Sequence, residues 1–207
     1  MAGGISLLMK RVLGFLAFAL VGATMLLDTH AAFAFGQPKM KVPTEFQAQF
    51  SLEVGPNPPQ HGIMYYAHGK IREEITPGDG GPKRITIIDP LSKSIYAIDP
   101  DKKAFRLEPW EPHAALVSEA LKRTGKHRFV QTQTIDGQEC DNFEIRPKEP
   151  EIKPYFVFVN KTTRFPVRLT TQDPDPSKEI HIEWTNVKPG IQAPMLFAPP
   201  LGYAQLK

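Results

Sequence analysis

Phe46-Gln47-Ala48-Gln49-Phe50-Ser51-Leu52-Glu53-Val54 sets apolar side chains on even positions and polar ones on odd positions. A period of two over nine residues is a strand with one dry and one wet face, as in an antiparallel sheet lying over a core. Pro56-Asn57-Pro58-Pro59 stops it. Downstream, Gly62–Arg72 continues the alternation and reads as a second strand, with Ile63, Tyr65, Ala67, Gly69 and Ile71 on one face. Met64, Tyr66, His68, Lys70 and Arg72 fall on the other. The run Thr76-Pro77-Gly78-Asp79-Gly80-Gly81-Pro82 is loop chemistry throughout. Three short strands follow at regular spacing, Arg84–Ile88, Ser94–Ile98 and Lys103–Leu107, with Asp89-Pro90 and Asp99-Pro100 opening the turns of a meander.

One helix interrupts the strands. Trp110, Ala114, Val117, Ala120 and Leu121 recur at three- and four-residue intervals between Pro109 and Arg123. Proline and Glu111 suit its first turn, Lys122, Arg123 and Gly125 its last, and Glu119, Lys122 and Arg123 give it a polar face. Strands resume at His127–Thr134, Gln138–Ile145, Tyr155–Asn160, Phe165–Thr170 and Glu179–Val187, separated by proline-rich turns. The sum is ten short strands and one helix, an α+β arrangement dominated by antiparallel sheet, with the helix on its concave face.

Composition agrees. The 207 residues are 41% hydrophobic and 23% charged, which excludes fibrous and wholly disordered classes. Twenty-one prolines favour many short elements. A net charge of +3 with no long basic run argues against a nucleic-acid partner.

Residues 1–34 read as an address. Lys10-Arg11 precede an uncharged run at 12–27, and Ala32-Phe33-Ala34 supplies small residues before a cut at Phe35. The run is shorter than the ~20 residues of a spanning helix, so cleavage is expected rather than anchoring. The mature protein, 35–207, is then one exported domain, soluble in the periplasm and not an integral membrane protein. Cys140, the single cysteine, permits no intramolecular disulfide and reads as a small buried side chain.

Chemistry-bearing patterns are missing from the sequence. No histidine pair has H-x-x-x-H spacing, and His181 with Glu183 are too few for a closed metal site. Gly78-Asp-Gly-Gly-Pro-Lys83 lacks phosphate-loop spacing, and no serine sits in G-x-S-x-G. The expectation is a protein that is not an enzyme and that needs no cofactor.

Gly69-Lys-Ile-Arg72, Ile85-Thr-Ile-Ile-Asp89 and Tyr96-Ala-Ile-Asp-Pro100 resemble the early meander of the LolA-like lipoprotein-carrier superfamily. Thr170–Trp184 resembles its late strands, and Phe197-Ala-Pro-Pro-Leu-Gly-Tyr203 its F-x-P-P-x-G ending. The similarity spans most of residues 44–203. It implies an unclosed half-barrel, a curved antiparallel sheet wrapped around one or a few helices that lid an apolar cavity. It also implies a carrier role for an acyl chain, lipid or acylated lipoprotein, with Arg72 near the cavity mouth. The long 76–82 loop and the single clear helix depart from the carrier pattern. Candidate lining residues are Phe46, Phe50, Leu52, Tyr65, Ile71, Ile87, Val157 and Trp184 from strands, with Val117 and Leu121 from the helix. The same residues equally read as an ordinary core. In that case the scaffold is an interaction or sensor module of the envelope that meets a partner protein through a strand edge or the 76–82 loop.

Overall fold

The computed structural model describes residues 39–76, 81–110, 112–122, 125–148 and 152–206. The expected signal segment, the tip of the 76–82 loop and Arg123 lie outside them. Twelve strands form one unclosed sheet in the order β12-β6-β5-β4-β3-β2-β1-β11-β10-β9-β8-β7. They are β1 (Glu45–Val54), β2 (Gln60–Ala67), β3 (Lys70–Thr76), β4 (Arg84–Asp89), β5 (Ser94–Asp99) and β6 (Ala104–Glu108). After the helix α1 (Pro112–Lys122) come β7 (Lys126–Ile135), β8 (Gln138–Arg146), β9 (Tyr155–Asn160), β10 (Pro166–Thr171), β11 (Ile180–Pro189) and β12 (Ala204–Gln205). All pairings are antiparallel except β12 with β6. The expected class, a curved and mostly antiparallel α+β half-barrel around a helix, is the architecture observed.

β1 behaves as its alternation dictates. Phe46, Ala48, Phe50 and Leu52 are buried, and Gln49 between them is exposed. It lies mid-sheet, bonded to β2 and β11, where Phe50 stands opposite Gly62 on one side and Trp184 on the other. Gly62 is required there. A Cβ on it would come within 2.3 Å of the Glu74 carbonyl oxygen and 2.9 Å of the Phe50 ring.

Two expectations need correction. Gly62–Arg72 is not one strand but the hairpin β2–β3, turned at His68 (φ 51°) and Gly69 (φ 81°). Both residues adopt the left-handed conformation of a primed two-residue turn, which follows the twist of the strands. The faces therefore differ from the simple alternation: Met64, Tyr66, Ile71 and Ile75 look toward α1, while Tyr65 and Arg72 pair on the opposite face. The helix also departs from a single sticky stripe. Ala114, Ala115, Leu116, Val117 and Ser118 are consecutive and all buried, so α1 is enclosed nearly all round, as a helix seated inside a curved sheet must be.

The chain adds a feature that the sequence pattern does not announce. After β11, residues 190–206 run as a strap along the convex face and end in β12, parallel to β6.

Candidate functional site

The concave face is built by side chains that the sheet brings together from distant parts of the chain. Of the eleven expected ligand residues, Phe46, Phe50, Leu52, Ile71, Val117, Leu121, Val157 and Trp184 meet in one buried cluster. Cross-strand pairing explains their convergence, since Leu52 faces Ile182, Ile182 faces Leu169 and Leu169 faces Val157. The Phe46 ring packs on Tyr66 at 5.2 Å and edge-on to Phe165 at 5.3 Å. Over this layer lies α1, which contributes Ala114, Ala115 and Ala120 together with Leu116, Val117 and Leu121 to the cluster.

Polar groups are set into this apolar layer. Glu73 is buried on the α1 side of β3, opposite Met64. Burial pushes the Tyr155 phenol far above its ordinary value, and the Glu119 charge adds to the push. Trp184 is buried with its indole N–H meeting no acceptor. An unpaired N–H in a core costs about 1–3 kcal/mol.

Tyr65, Arg72 and Ile87 are not part of this layer. They lie in one cross-strand row on the convex face, Tyr65 opposite Arg72 and Arg72 opposite Ile87. Ile87 packs with Ile85 and Ile98 in a second apolar cluster, which Tyr96, Phe105 and Tyr203 flank. Arg72 is buried and works as a hook: its Nε bonds Glu74 at 2.7 Å and its Nη1 donates to the Leu196 carbonyl of the strap at 3.1 Å. Burial tends to raise the Glu74 pKa, but hydrogen bonds from Lys83 and Arg72 pull it below the usual carboxylate range. Sequence reasoning misses the strap, because two residues of parallel strand leave no periodicity to read. Its one sequence signal is the F-x-P-P-x-G ending: Phe197 is buried, and Tyr203 N–H closes a turn on the Pro200 carbonyl with Gly202 at φ 82°.

Two clefts open on the convex side of the central strands. One, of about 570 Å³, is lined in part by Lys41, Asp136, Arg168, Glu183 and Val187. In it Arg168 pairs with Glu183 at 2.6 Å and with Asp136 at 3.6 Å. The other, of about 560 Å³, includes Gln49, Ser51, His61 and Thr76. Cys140 is buried beside Ile135 and Phe158, and desolvation raises its thiol pKa, so it packs rather than reacts. Among the described residues no group of three or more His, Cys, Asp or Glu is placed to hold a metal ion. Among them, too, no helix is long and apolar enough to cross a membrane.

No known family profile matches the sequence, and no curated protein does. Solved structures do. An uncharacterized conserved protein from Thermus thermophilus superposes with a TM-score of 0.55 at 13% identity, covering 80% of this chain and 91% of that one. A LolA superfamily protein from Nitrosomonas europaea aligns over 78% of this chain and 94% of its own at 9% identity, TM-score 0.46. The fold is shared with the Thermus thermophilus protein. A third similar structure is a DUF1329 family protein from Desulfovibrio piger ATCC 29098, which aligns over 76% of this chain and 91% of that one at 12% identity, TM-score 0.44.

Proposed function

We propose that this protein is an exported LolA-like binding protein. On this reading it holds a hydrophobic group, such as an acyl chain of a lipid or lipoprotein, on the concave face in place of α1. The supporting observation is the convergence of eight expected residues on one apolar layer covered by a single 11-residue helix rich in small side chains. A small-residue plug competes weakly for such a surface. Burying a fourteen-methylene chain contributes roughly 11 kcal/mol gross at ~0.8 kcal/mol per methylene, before ordering costs. The unpaired Trp184 N–H would then find an acceptor on an ester or amide carbonyl of the incoming group. Residues 1–34 direct the chain to the periplasm and are removed there, which leaves 35–207 as a single soluble domain. The reading asks for no catalytic residue.

The test is uptake of a fluorescent fatty acid, joined with native mass spectrometry of protein purified from its own envelope. Saturable uptake that a Trp184→Phe variant weakens supports the reading. No uptake together with no co-purified lipid refutes it. A second reading, an envelope interaction module with a filled core and no ligand, draws support from how completely α1 occupies the hollow. It predicts one stoichiometric protein partner recovered without lipid.

A further inference from the structure

The last part of the chain pairs two properties that seldom coincide on a soluble surface. Ile191, Met195 and Leu201 project from the strap at 93%, 80% and 101% exposure, among the largest values of any apolar side chain described. Isolated exposed aliphatic residues are ordinary, but these three fall within eleven residues of one another. They cannot tuck inward, because the strap is fixed along its length. Gly190 N–H bonds the Glu45 carbonyl at 3.2 Å, and Gln192 N–H bonds the Glu45 carboxylate at 2.6 Å. Arg72 holds the Leu196 carbonyl, Phe197 is buried, and Ala204 N–H bonds the Lys103 carbonyl at 3.0 Å. Pro189, Pro194, Pro199 and Pro200 stiffen what lies between.

Charge is the second property. Residues 184–207 contain Lys188 and Lys207 and no Asp or Glu. The strap itself, 190–206, is therefore an uncharged strip with aliphatic tips. Lys188 stands just before it at the end of β11, and the strap's far end docks beside Lys103 in the turn that leads into β6. We propose that this strap is a docking surface for an anionic phospholipid membrane, with Ile191, Met195 and Leu201 entering the headgroup layer and Lys188 and Lys103 meeting lipid phosphates. The geometry suits a fluid surface. Single aliphatic tips standing clear of their neighbours offer no flat, closely packed patch to a folded protein, whereas lipid headgroups part around them and need no fixed complementarity. Cations near such a membrane add attraction that salt weakens. This inference stands apart from ligand binding on the concave face.

The experiment is co-sedimentation of the purified protein with vesicles of mixed phosphatidylglycerol and phosphatidylcholine, against vesicles of phosphatidylcholine alone. The expected result is binding to the anionic vesicles that falls with added salt. The triple variant Ile191→Ser, Met195→Ser, Leu201→Ser should lose roughly ten-fold or more of that partitioning while keeping the wild-type circular dichroism. Should the triple variant fail to fold, Lys188→Glu provides the readout and should lower binding by itself. Absence of vesicle binding overturns the proposal, as does binding that neither the serine variants nor salt reduces. Size-exclusion showing a wild-type dimer that the triple variant turns into a monomer, without vesicle binding, assigns the strip to a second copy and likewise overturns it. Fatty-acid uptake measured on the same variants reports on the concave face separately, so the two readings fail independently.

Discussion

Strands β3–β6 carry apolar residues on both faces, and the two faces are closed by different means. On the concave side, Ile71, Ile75, Ile88 and Ile95 join a cluster assembled from β1, β2, β8–β11 and a helix buried nearly all round. On the convex side, Ile85, Ile87 and Ile98 are sheltered by Tyr96, Phe105 and Tyr203 beneath a strap that one arginine hooks to the sheet. The first closure draws on packing from the whole chain and fails only as a unit. The second rests on one short segment and a few polar ties, so it can loosen while the rest of the domain holds.

The sharpest way to break the concave closure is Trp184→Asp, which sets an unpaired charge in the cluster. It should abolish cooperative folding, a loss of more than about 4 kcal/mol, seen as a missing thermal transition. A wild-type melting temperature would mean that the face assignment of β11 is wrong. Next, Gly62→Ala forces a methyl group against the Glu74 carbonyl and the Phe50 ring and should cost about 1–3 kcal/mol or more, read from the urea midpoint.

Arg72→Leu addresses the convex closure. It removes the hook and one partner of the half-buried Glu74, an expected loss of about 1–3 kcal/mol. Limited proteolysis should then cut within residues 190–206 before any site in β1–β11. Cleavage spread evenly over the chain would show that strap and sheet unfold together.

Acidity separates the two closures more gently. His127 is buried on β7, and burial lowers its pKa below the ordinary histidine value of about 6.5. Its neutral form is favoured when folded, so its contribution is complete above that value and declines as pH falls through it. Urea midpoints should drop between neutral and mildly acidic pH, and His127→Gln should flatten the drop. Glu74, whose pKa is depressed, acts only lower: its contribution is present above the ordinary carboxylate range and disappears as pH falls through the folded value. Strap proteolysis should thus stay unchanged across the histidine range and rise only in stronger acid.

Where the chain alternates cleanly, its sequence already reveals its face. β1 has strands on both sides and one wet surface, so Phe46, Phe50 and Leu52 are assignable from spacing alone, and Trp184 likewise from Ile180 and Ile182. The helix is legible from its three- and four-residue recurrence, but its depth is not, since alanine and serine carry little pattern. Tyr65 lands on the unexpected face because the alternation runs on through His68-Gly69, a turn without the usual Asn-Gly signal. Ile87 does so because Ile85-Thr-Ile-Ile88 belongs to a strand covered on both sides, where an unbroken apolar run cannot tell one face from the other. The alternation does set Arg72 on the face opposite to that of Ile71, and only the family resemblance places it at the cavity mouth. What the sequence withholds is the strap, whose placement depends on long-range bonds to Arg72, Lys103 and Phe105.

The sheet's two margins are unequal. β12 covers the first half of β6, and Arg106 and Glu108 charge the remainder. At the opposite margin β7 runs ten residues with no strand on its outer side among the described residues. Among the described residues, the longer unpaired strand border is therefore that of β7. Ten residues of unpaired backbone along one border are a template on which a further strand can be added, far more than the two residues of β12 offer at the other.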